Sequence, residues 1–334
     1  MKVLVNGAGN IGTTLACLLF DFKGILNISK VIIFKNTPQP WRLIDLEILK
    51  EKGVTVILST EMTYSELVRQ VDYIFETTAN GIGLKNKVIY DMLSNLIGVC
   101  AQGSEKGFGI PFISGIDPKN IANQKFVQIV SCNTHGAASL LQTICGYDLA
   151  NLESSDFVVV RRSEDIGNHE RLVTANVVAR HLSEEIGTHH AIDVKDMFTT
   201  LGIDCNITSS DITTPSQLMH ATRFTITTKN EINEDEIKDE ILQNQFIATS
   251  NKFDSNFIYE LGRRYGRYGR IYNHAIVLTH NLLVTKNSVK GWAFVPQEGN
   301  SLISTLHAFL LQTQPEKSEN QIIKIKSSLL RNDW

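Results

Sequence analysis

The chain has 334 residues, of which 43% are hydrophobic and 20% are charged. It exceeds the size at which a single hydrophobic core usually stops growing, so two domains are expected. The 32 basic and 35 acidic residues give a formal net charge of −3, and no long stretch is strongly basic. This balance excludes nucleic acid and anionic membrane as obvious partners and favours an enzyme that acts on small molecules.

The five cysteines are scattered, without a C-x-x-C pair or a zinc-like spacing. This distribution predicts reduced thiols in a cytoplasmic protein and no metal site. Met1-Lys2 leads directly into Val3-Leu4-Val5, which is too short for the apolar region of a signal peptide and predicts a first strand. No run of about 18 apolar residues occurs, so no transmembrane helix is expected.

The first 130 residues alternate short apolar, β-branched runs with longer amphipathic segments. The runs predict strands at Lys2–Val5, Val31–Phe34, Val54–Leu58, Tyr73–Thr77, Gly98–Ala101 and Gln128–Ser131. The segments between them predict helices near Ile11–Phe22, Arg42–Glu51, Tyr64–Gln70 and Asn86–Leu96. This alternation predicts an α/β fold with a doubly wound parallel sheet.

The pattern changes after Ser131. A helix is predicted at Gly136–Tyr147, followed by a strand-rich half that includes Phe157–Arg161, Arg223–Thr228, Ile276–Leu278 and Gly291–Val295. We therefore expect a dinucleotide-binding domain at 1–131, a second, mainly antiparallel α+β catalytic domain at 132–299, and a C-terminal helical segment, 300–334, that completes the first domain.

A glycine-rich loop follows the first predicted strand. Gly7-Ala8-Gly9-Asn10-Ile11-Gly12 fits G-x-G-x-x-G and opens a helix, which is the context that a Rossmann-type dinucleotide site requires. Gly7 permits the tight turn, Gly9 allows the backbone to approach a pyrophosphate, and Gly12 allows close packing of helix and strand. The helix N-terminal amides would then meet the phosphate charge. The alternative is a glycine-rich turn that binds nothing.

Lys35 stands where the second strand is predicted to end. NAD-selective enzymes usually place Asp or Glu there to bind the ribose hydroxyls, whereas this strand ends in Lys35-Asn36. A lysine can pair with the 2′-phosphate, so binding of NADP as well as NAD is expected. The alternative is a solvated lysine at a strand end.

Cys132 lies in Ser131-Cys132-Asn133-Thr134-His135-Gly136, after an apolar strand and before a helical stretch. A helix N-terminus lowers the pKa of a thiol, and its amides can bind an oxyanion. Taken alone, such a cysteine is more often a small core residue. The strand-to-helix setting on a chain with a nucleotide loop favours a nucleophile instead.

Together with the glycine loop, the Cys132 motif resembles that of the archaeal-type glyceraldehyde-3-phosphate dehydrogenases. The resemblance rests on separated segments that occur in the same order over nearly the whole chain. They are Gly7–Gly12, Lys35, Glu76–Gly83 followed by Lys85-Asn86, Gln102–Lys106, Ser131–Thr134, Val160–Arg162, His189–Lys195, Leu218–His220 and Gln297-Glu298.

The resemblance implies a two-domain enzyme of glycolysis, commonly a homotetramer. It oxidises an aldehyde phosphate with NAD or NADP and passes the acyl group to inorganic phosphate. Cys132 corresponds to the nucleophile and His220 to the base. A histidine beside a thiolate can take up a proton as hydride leaves, which suits that role.

The resemblance also implies the binding residues. Substrate contacts correspond to Ser131, Asn133, His189 and His190. Cofactor contacts correspond to Gly7, Gly9, Asn10, Ile11, Gly12, Lys35, Gly103, Arg162 and Gln297. Histidine and arginine supply donors suited to a phosphate group.

Several positions depart from the family pattern. His135 stands where a threonine is common, Ala137-Ala138-Ser139 lacks an arginine, Pro296 replaces a histidine, and Gly299 replaces a serine. The segment Ser163–Arg171 also differs. Because these positions lie near substrate and nicotinamide in the family, they leave the identity of the aldehyde open.

Three functions are therefore compatible with the sequence. The first is phosphorylating oxidation of glyceraldehyde 3-phosphate. The second is a related dehydrogenase or reductase of another small phosphorylated or carboxylated aldehyde in a biosynthetic pathway. The third is a catalytically silent nucleotide-binding homologue, which the presence of both Cys132 and His220 disfavours.

Overall fold

The structure is a computed structural model that describes residues 1–36, 43–103, 105–116, 120–162, 182–215 and 217–334. The chain divides into two compact units, Met1–Val130 with Leu302–Ser328, and Ser131–Ser301 with Leu329–Trp334. Arg42, Ser104 and Ser163–Arg171, which the sequence analysis named, lie outside the described residues.

The strands are β1 (Lys2–Asn6), β2 (Lys30–Lys35), β3 (Thr55–Leu58), β4 (Tyr73–Glu76), β5 (Gly98–Gln102), β6 (Ile110–Phe112), β7 (Phe126–Ile129), β8 (Leu152–Arg162), β9 (Ile207–Thr214), β10 (His220–Thr228), β11 (Ile247–Ser250), β12 (Ala275–Leu278), β13 (Leu283–Thr285) and β14 (Ser288–Val295). The helices are α1 (Asn10–Asp21), α2 (Leu43–Lys52), α3 (Tyr64–Leu67), α4 (Ile82–Asp91), α5 (Cys132–Cys145), α6 (His189–Thr199), α7 (Glu234–Gln243), α8 (Ser255–Tyr265), α9 (Leu302–Thr313) and α10 (Ser318–Leu329).

The first unit is built on a parallel sheet of seven strands in the order β3-β2-β1-β4-β5-β7-β6. The chain starts at β1, adds β2 and β3 on one side, and then crosses to β4 on the other. The carboxyl ends of β1 and β4 therefore flank the point at which the strand order reverses. In open α/β sheets, ligands bind at this crevice.

Helix α9 is apolar along most of its length and is buried in the first unit. The ring of Phe309 lies 4.8 Å from that of Tyr73 and 5.5 Å from that of Phe75, both on β4. The last part of the chain thus supplies core to a sheet whose strands all belong to the first 130 residues.

The second unit contains a mixed sheet in the order β11-β12-β14-β10-β8-β9, with β13 paired to β14. The pairs β8–β10, β10–β14 and β12–β14 are antiparallel, whereas the pairs β8–β9 and β11–β12 are parallel. The first side chain of β10, His220, lies directly opposite Val295, the last residue of β14.

The register separates two faces of this sheet. Residues directly opposite each other share a face, so His220 and Val295 point the same way. Gly136 of α5 lies against Val295, because a Cβ there would meet Val295 Cγ2 at 3.0 Å. His220 therefore faces the side on which α5 packs. The opposite face carries an apolar core that includes Ala221, Phe294 and Ile258 of α8.

The predicted fold class is confirmed: a doubly wound parallel sheet is followed by a second, mixed sheet with helices. Two helices need correction, because α4 spans Ile82–Asp91 and not Asn86–Leu96, and α5 begins at Cys132 and not at Gly136. Ser131 caps the helix by accepting a hydrogen bond from the Thr134 amide at 3.4 Å, which allows the helix to start through residues of modest helical propensity. Among the described residues, no helix is long and apolar enough to span a membrane.

Candidate active site

The glycine loop has the backbone geometry that its spacing predicts. Gly7 has φ of +108°, and a Cβ there would meet the Thr77 carbonyl oxygen at 2.8 Å. A Cβ on Gly12 would meet the Gly7 carbonyl oxygen at 1.9 Å. Side chains are therefore excluded from both positions. The loop can hold a phosphate close to its backbone, so these residues fit a dinucleotide.

Helix α1 begins at Asn10, with Gly9 as its N-cap. Gly9 has no side chain to cap the helix, so the first-turn amides, including that of Ile11, can meet an anion. Gly103 follows β5 with φ of +79°, and a Cβ there would meet no atom within 4 Å. Lys35 ends β2, and the amide of Gly7 donates to the carbonyl of Phe34 beside it at 3.1 Å. These predicted cofactor residues all belong to the first unit.

A buried carboxylate that the sequence analysis did not assign supports this loop. Glu76 accepts hydrogen bonds from Asn6 Nδ2 at 2.9 and 3.1 Å, from Asn86 Nδ2 at 3.0 Å and from Tyr90 Oη at 2.5 Å. Since Asn6 immediately precedes Gly7, these bonds fix the strand end from which the loop departs. The sequence signals were an acidic residue at the end of an apolar strand and the place of Glu76 and Asn86 in segments that carry the family resemblance.

Cys132 is the one partly exposed residue among the five cysteines, all of which lie in the described part of the chain. Burial raises the pKa of Cys17 to about 11 and the pKa values of Cys100, Cys145 and Cys205 to about 12. Those four thiols are protonated near neutral pH. Cys132 instead occupies the first position of α5, where amides and the helix dipole favour a thiolate.

Asn300, which the sequence analysis missed, holds the start of α5. Its Nδ2 donates to the carbonyl of Cys132 and to that of His274, each at 3.0 Å. Behind Cys132, His135 is fully buried and its Nδ1 lies 3.0 Å from the Ser131 carbonyl. Ser131 thus serves both as the cap of the helix and as the acceptor for His135.

Asn133 joins the start of α5 to the histidine pair. Its Nδ2 lies 3.5 Å from Nε2 of His190, and the rings of His189 and His190 are 3.9 Å apart. Asn133 Oδ1 and His190 Nδ1 are buried and have no hydrogen-bond partner among the described residues. Buried polar atoms without partners are rare, so these two are suited to receive a substrate.

Two further charged residues, both missed from the sequence, lie on this face. Asp211 Oδ2 is 3.7 Å from His190 Nε2 and 3.3 Å from Arg161 Nε. Burial raises the pKa of Asp211, but the proximity of His190 and the charge of Arg161 outweigh it, so its pKa lies below the usual value. Burial lowers the pKa of His189 to about 4 and also lowers that of His190. At neutral pH the four groups comprise two neutral imidazoles, one cation and one anion.

His220 is held at both its backbone and its ring. Its amide donates to Gln297 Oε1 at 3.2 Å, and its Nδ1 accepts the amide N–H of Arg162 at 3.3 Å. Burial, followed by the charge of Arg162, lowers the pKa of His220 well below its usual value. A neutral imidazole whose Nδ1 accepts a hydrogen bond carries its proton on Nε2. Nε2–H is therefore a donor.

Arg162 and Gln297 lie in the second unit, where described residues engage their side chains. Arg162 is buried, and its Nη1 donates to Glu298 Oε1 at 3.1 Å and to the Leu218 carbonyl at 3.2 Å. Gln297 Nε2 donates to the same carbonyl at 2.9 Å. Both side chains therefore hold the segment that leads into β10, because both donate to the Leu218 carbonyl. Their predicted contacts with a cofactor stay predictions.

The predicted residues therefore form two groups. The glycine loop, Lys35 and Gly103 lie in the first unit. The second unit contains Cys132 and Asn133 at the start of α5, the histidine pair that Asn133 contacts, and His220 on the same face of the sheet. Among the described residues, no cluster of three or more His, Cys, Asp or Glu side chains could hold a metal ion.

Comparison with known proteins gives relatives over most of the chain. A glyceraldehyde-3-phosphate dehydrogenase of Methanoregula boonei is 24% identical, and the match covers 99% of this chain and 97% of the relative. Glyceraldehyde-3-phosphate dehydrogenases of Sulfolobus acidocaldarius and Sulfurisphaera tokodaii are each 26% identical, over 86% of this chain and 85% of theirs. The chain is a distant homologue of glyceraldehyde-3-phosphate dehydrogenases. No protein-family model matches it.

This homology supports a glyceraldehyde-3-phosphate dehydrogenase-like chain. The parallel sheet presents a glycine loop that excludes side chains at Gly7 and Gly12. The mixed sheet presents a histidine on the same face as the helix that begins at the partly exposed Cys132.

Proposed function

We propose that the protein is an NAD(P)-dependent, phosphorylating glyceraldehyde-3-phosphate dehydrogenase that resembles the archaeal-type enzymes. The observation that carries the proposal is the placement of Cys132. It is the one partly exposed cysteine, it starts α5, and that helix packs on the face of the sheet to which His220 points. The distant homologues bearing this name support the same assignment.

In this proposal the thiolate of Cys132 adds to the aldehyde carbon. A C–S bond forms and the carbonyl π pair moves to oxygen. When that oxygen re-forms its double bond, a hydride leaves the carbon and a thioester remains. A nicotinamide, when bound, is the hydride acceptor. Inorganic phosphate then attacks the thioester carbon, the C–S bond breaks, and the acyl phosphate leaves with the thiolate regenerated.

His220 acts on the oxygen of this intermediate. The sequence resemblance suggested a base, but a ring whose Nδ1 accepts the Arg162 amide offers Nε2–H as a donor. Addition of a thiolate produces an alkoxide directly, so no hydroxyl proton has to be removed before hydride transfer. A donor aimed at the developing oxyanion stabilises that state. The geometry therefore favours oxyanion stabilisation over general-base catalysis.

Asn133 and the histidine pair form the proposed substrate subsite. Asn133 Oδ1 can accept a hydrogen bond from a substrate hydroxyl, and His190 Nδ1 can bond to another polar substrate atom, because both atoms lack described partners. Ser131 contributes through its cap, which fixes the first turn of α5 and thereby the direction of the Asn133 side chain. His189, which is less buried, would lie nearer the solvent side of the substrate.

The cofactor would bind to the glycine loop of the first unit. Gly7 and Gly12 allow the tight turn and the close packing of the loop, and Gly9 allows the backbone to approach the pyrophosphate. Asn10 and Ile11 begin α1, and Gly103 follows β5. Lys35 is the last residue of β2, where NAD-selective enzymes usually have an acidic residue. A lysine at this position favours NADP at least as much as NAD. Cytoplasmic location and a homotetramer remain part of the proposal.

A second candidate function is supported by Asp211. This buried anion lies 3.7 Å from His190 and 3.3 Å from Arg161, whose charge it offsets. A phosphate dianion bound at the histidine pair would therefore meet an ionised carboxylate. The arrangement favours an aldehyde of lower charge, such as a carboxylated one, oxidised by the same cysteine chemistry in a biosynthetic pathway.

The deciding experiment measures reduction of NAD and NADP with glyceraldehyde 3-phosphate, with and without inorganic phosphate. The proposal predicts turnover that requires phosphate. Turnover without phosphate would contradict the phosphorylating step. No turnover with this aldehyde, together with activity on a carboxylated aldehyde, would favour the second candidate. Absence of activity on all aldehydes, with cofactor binding retained, would indicate a catalytically silent nucleotide-binding homologue.

A further inference from the structure

A buried charge cluster lies behind His220. Glu298 is 7% exposed and accepts from Arg162 Nη1 at 3.1 Å through one carboxylate oxygen. Its other oxygen lies 2.8 Å from Arg270 Nη1 and 3.4 Å from Tyr259 Oη. One carboxylate thus joins three elements: the end of β8, helix α8 and the segment before β12.

This cluster is not itself a binding pocket. The cavity beside it has a volume of about 20 Å³ and is lined by residues that include Met219, Tyr259, Arg270 and Glu298. That space holds about one water molecule. The carboxylate is therefore committed to its protein partners, and its function has to be sought in what those partners hold.

Two residues next to Glu298 also contact His220: Arg162, which pairs with the carboxylate, and Gln297, which precedes Glu298 in the chain. Through Arg162, the cluster fixes the residue whose backbone amide donates to His220 Nδ1 at 3.3 Å. Along the chain, Glu298 directly follows Gln297, whose side chain accepts from the His220 amide at 3.2 Å and donates to the Leu218 carbonyl at 2.9 Å. Ring and backbone of His220 both depend on residues adjacent to this carboxylate.

We propose that Glu298 is a positioning residue for His220, which fixes Arg162 and Gln297 so that the ring presents Nε2–H to the reacting oxygen. If Glu298 is replaced, Arg162 Nη1 loses its charged acceptor and keeps the Leu218 carbonyl. The backbone amide of Arg162 can then move away from Nδ1, and the ring becomes free to turn or to change tautomer. This role rests on the proposed function, because it assigns His220 to the reacting oxygen.

The competing explanation is a purely structural ion pair. Removing one partner of a buried pair destabilises a protein whether or not the pair serves a site. Loss of stability therefore cannot distinguish the two roles, and the test needs readouts that only positioning would change. The tautomer of His220 and the separation of kcat from KM meet this need.

The experiment compares Glu298→Gln with Glu298→Asp in the full chain. Gln keeps the length but replaces one acceptor oxygen with a donor, whereas Asp keeps the charge but shortens the reach. Glu260→Gln on the same helix as Tyr259 is the matched control, because Glu260 forms an exposed pair with Arg264 at 2.7 Å. ¹⁵N NMR of labelled histidines reports the His220 tautomer, assigned by its absence in His220→Gln.

We expect the unmodified chain and Glu260→Gln to show the Nε2–H form of His220. Glu298→Gln should show a mixture of tautomers and a kcat lowered roughly 10–100-fold, with KM nearly unchanged, as for loss of a residue that orients a catalytic group. Glu298→Asp should change both readouts in the same direction and to a smaller extent. It also preserves charge balance, which makes it the fallback if the Gln variant does not fold.

An unchanged tautomer and unchanged kcat in folded Glu298 variants, with only a lower melting temperature, would overturn the proposal. The NMR readout requires no substrate. If the chain oxidises no aldehyde, the proposed function fails while the dependence of the tautomer on Glu298 is still measured. If activity is present but the tautomer does not respond, the positioning role fails and the proposed function stands.

Discussion

The backbone amide of Arg162 donates a hydrogen bond to Nδ1 of His220 at 3.3 Å. This contact places the imidazole proton on Nε2 and disfavours the imidazolium, whose Nδ1–H would face another donor. In the proposed mechanism, a thiolate at Cys132 would therefore depend on the amides and dipole of α5 more than on an ion pair with a histidine. The proposed nucleophile and the proposed oxyanion donor would then be separate features of the second unit.

The nucleophile can be tested by selective alkylation. Iodoacetamide should label Cys132 first, because burial holds the other thiols protonated near neutral pH. Cys132→Ser should abolish oxidation and leave cofactor binding intact, whereas Cys205→Ser should retain activity. Peptide mapping after brief labelling checks the order. Faster reaction at Cys17 or Cys145, with activity surviving when Cys132 is blocked, would contradict the mechanism.

The role of His220 can be tested with two amides. The nitrogen of a glutamine reaches roughly the position of imidazole Nε2, whereas that of an asparagine reaches only the position of Nδ1. If His220 is a donor, His220→Asn should lower kcat by about 10²–10³-fold, the scale for loss of an oxyanion donor. His220→Gln should retain much more activity, and KM should change little in both.

A base role predicts a different pattern. Neither amide can accept a proton, so both variants would then lose about 10²–10⁴-fold in kcat. Thermal unfolding of the same samples serves as the folding control. Full turnover combined with reduced stability would remove His220 from the mechanism and leave His135 as the next candidate.

The cofactor preference can be tested at Lys35. Lys35→Asp should favour NAD over NADP by roughly 1–3 kcal/mol, because a charge-assisted hydrogen bond to a 2′-phosphate is lost and repulsion replaces it. Lys30→Asp, at the exposed opposite end of the same strand, is the matched control and should change neither affinity. Binding titrations with both dinucleotides measure the difference. A strong NAD preference in the unmodified chain would contradict the proposal.

Substrate charge can be tested at Asp211. Asp211→Asn removes the buried anion beside His190, so KM for glyceraldehyde 3-phosphate should fall roughly tenfold while KM for uncharged glyceraldehyde changes little. Asp204→Asn is the control, since Asp204 is exposed and pairs with Lys195 at 3.6 Å. Equal effects on both aldehydes would mean that Asp211 does not discriminate by substrate charge.

The sequence predicted the features that depend on neighbouring residues. The turn at Gly7 and the strand-to-helix transition at Cys132 depend on residues that are close together in the sequence. Motif and spacing therefore predict them. Helix α5 begins four residues before the predicted start at Gly136, because the side chain of Ser131 caps it at Cys132.

Other parts of the site arise only from long-range pairing. Glu298 contacts Arg162 across 136 positions, and Asn300 contacts Cys132 across 168. Asp211 reaches Arg161 because β8 and β9 pair in parallel, a pairing that the sequence analysis did not predict. Short sequence patterns do not predict which strands will pair in the sheet. The supporting charges of the site therefore became visible only in the folded chain.

The pH dependence of stability offers a test in the first unit. His307 on α9 is nearly fully buried, with Nδ1 at 2.8 Å from Ser114 Oγ and Nε2 at 3.3 Å from Glu319 Oε1. Burial lowers its pKa from 6.5 to about 4, although the charge of Glu319 opposes this effect. The folded chain therefore keeps this histidine neutral at pH values where the unfolded chain protonates it.

The sign of the effect follows from proton binding. Below about pH 6.5 the unfolded state binds a proton that the folded state does not, so stability falls as the pH falls from about 6.5 towards 4. The slope from this one residue reaches at most about 1.4 kcal/mol per pH unit.

His307→Gln, which keeps polar atoms near Ser114, removes the titrating group and should therefore lose less stability between pH 7.5 and pH 5 than the unmodified chain. Exposed His280→Gln is the control for replacing a histidine elsewhere in the chain. Chemical unfolding of all three proteins at both pH values gives the differences, in which the titration of other groups cancels. Equal loss of stability in His307→Gln and in the unmodified chain would show that His307 is not the buried neutral group inferred from its surroundings.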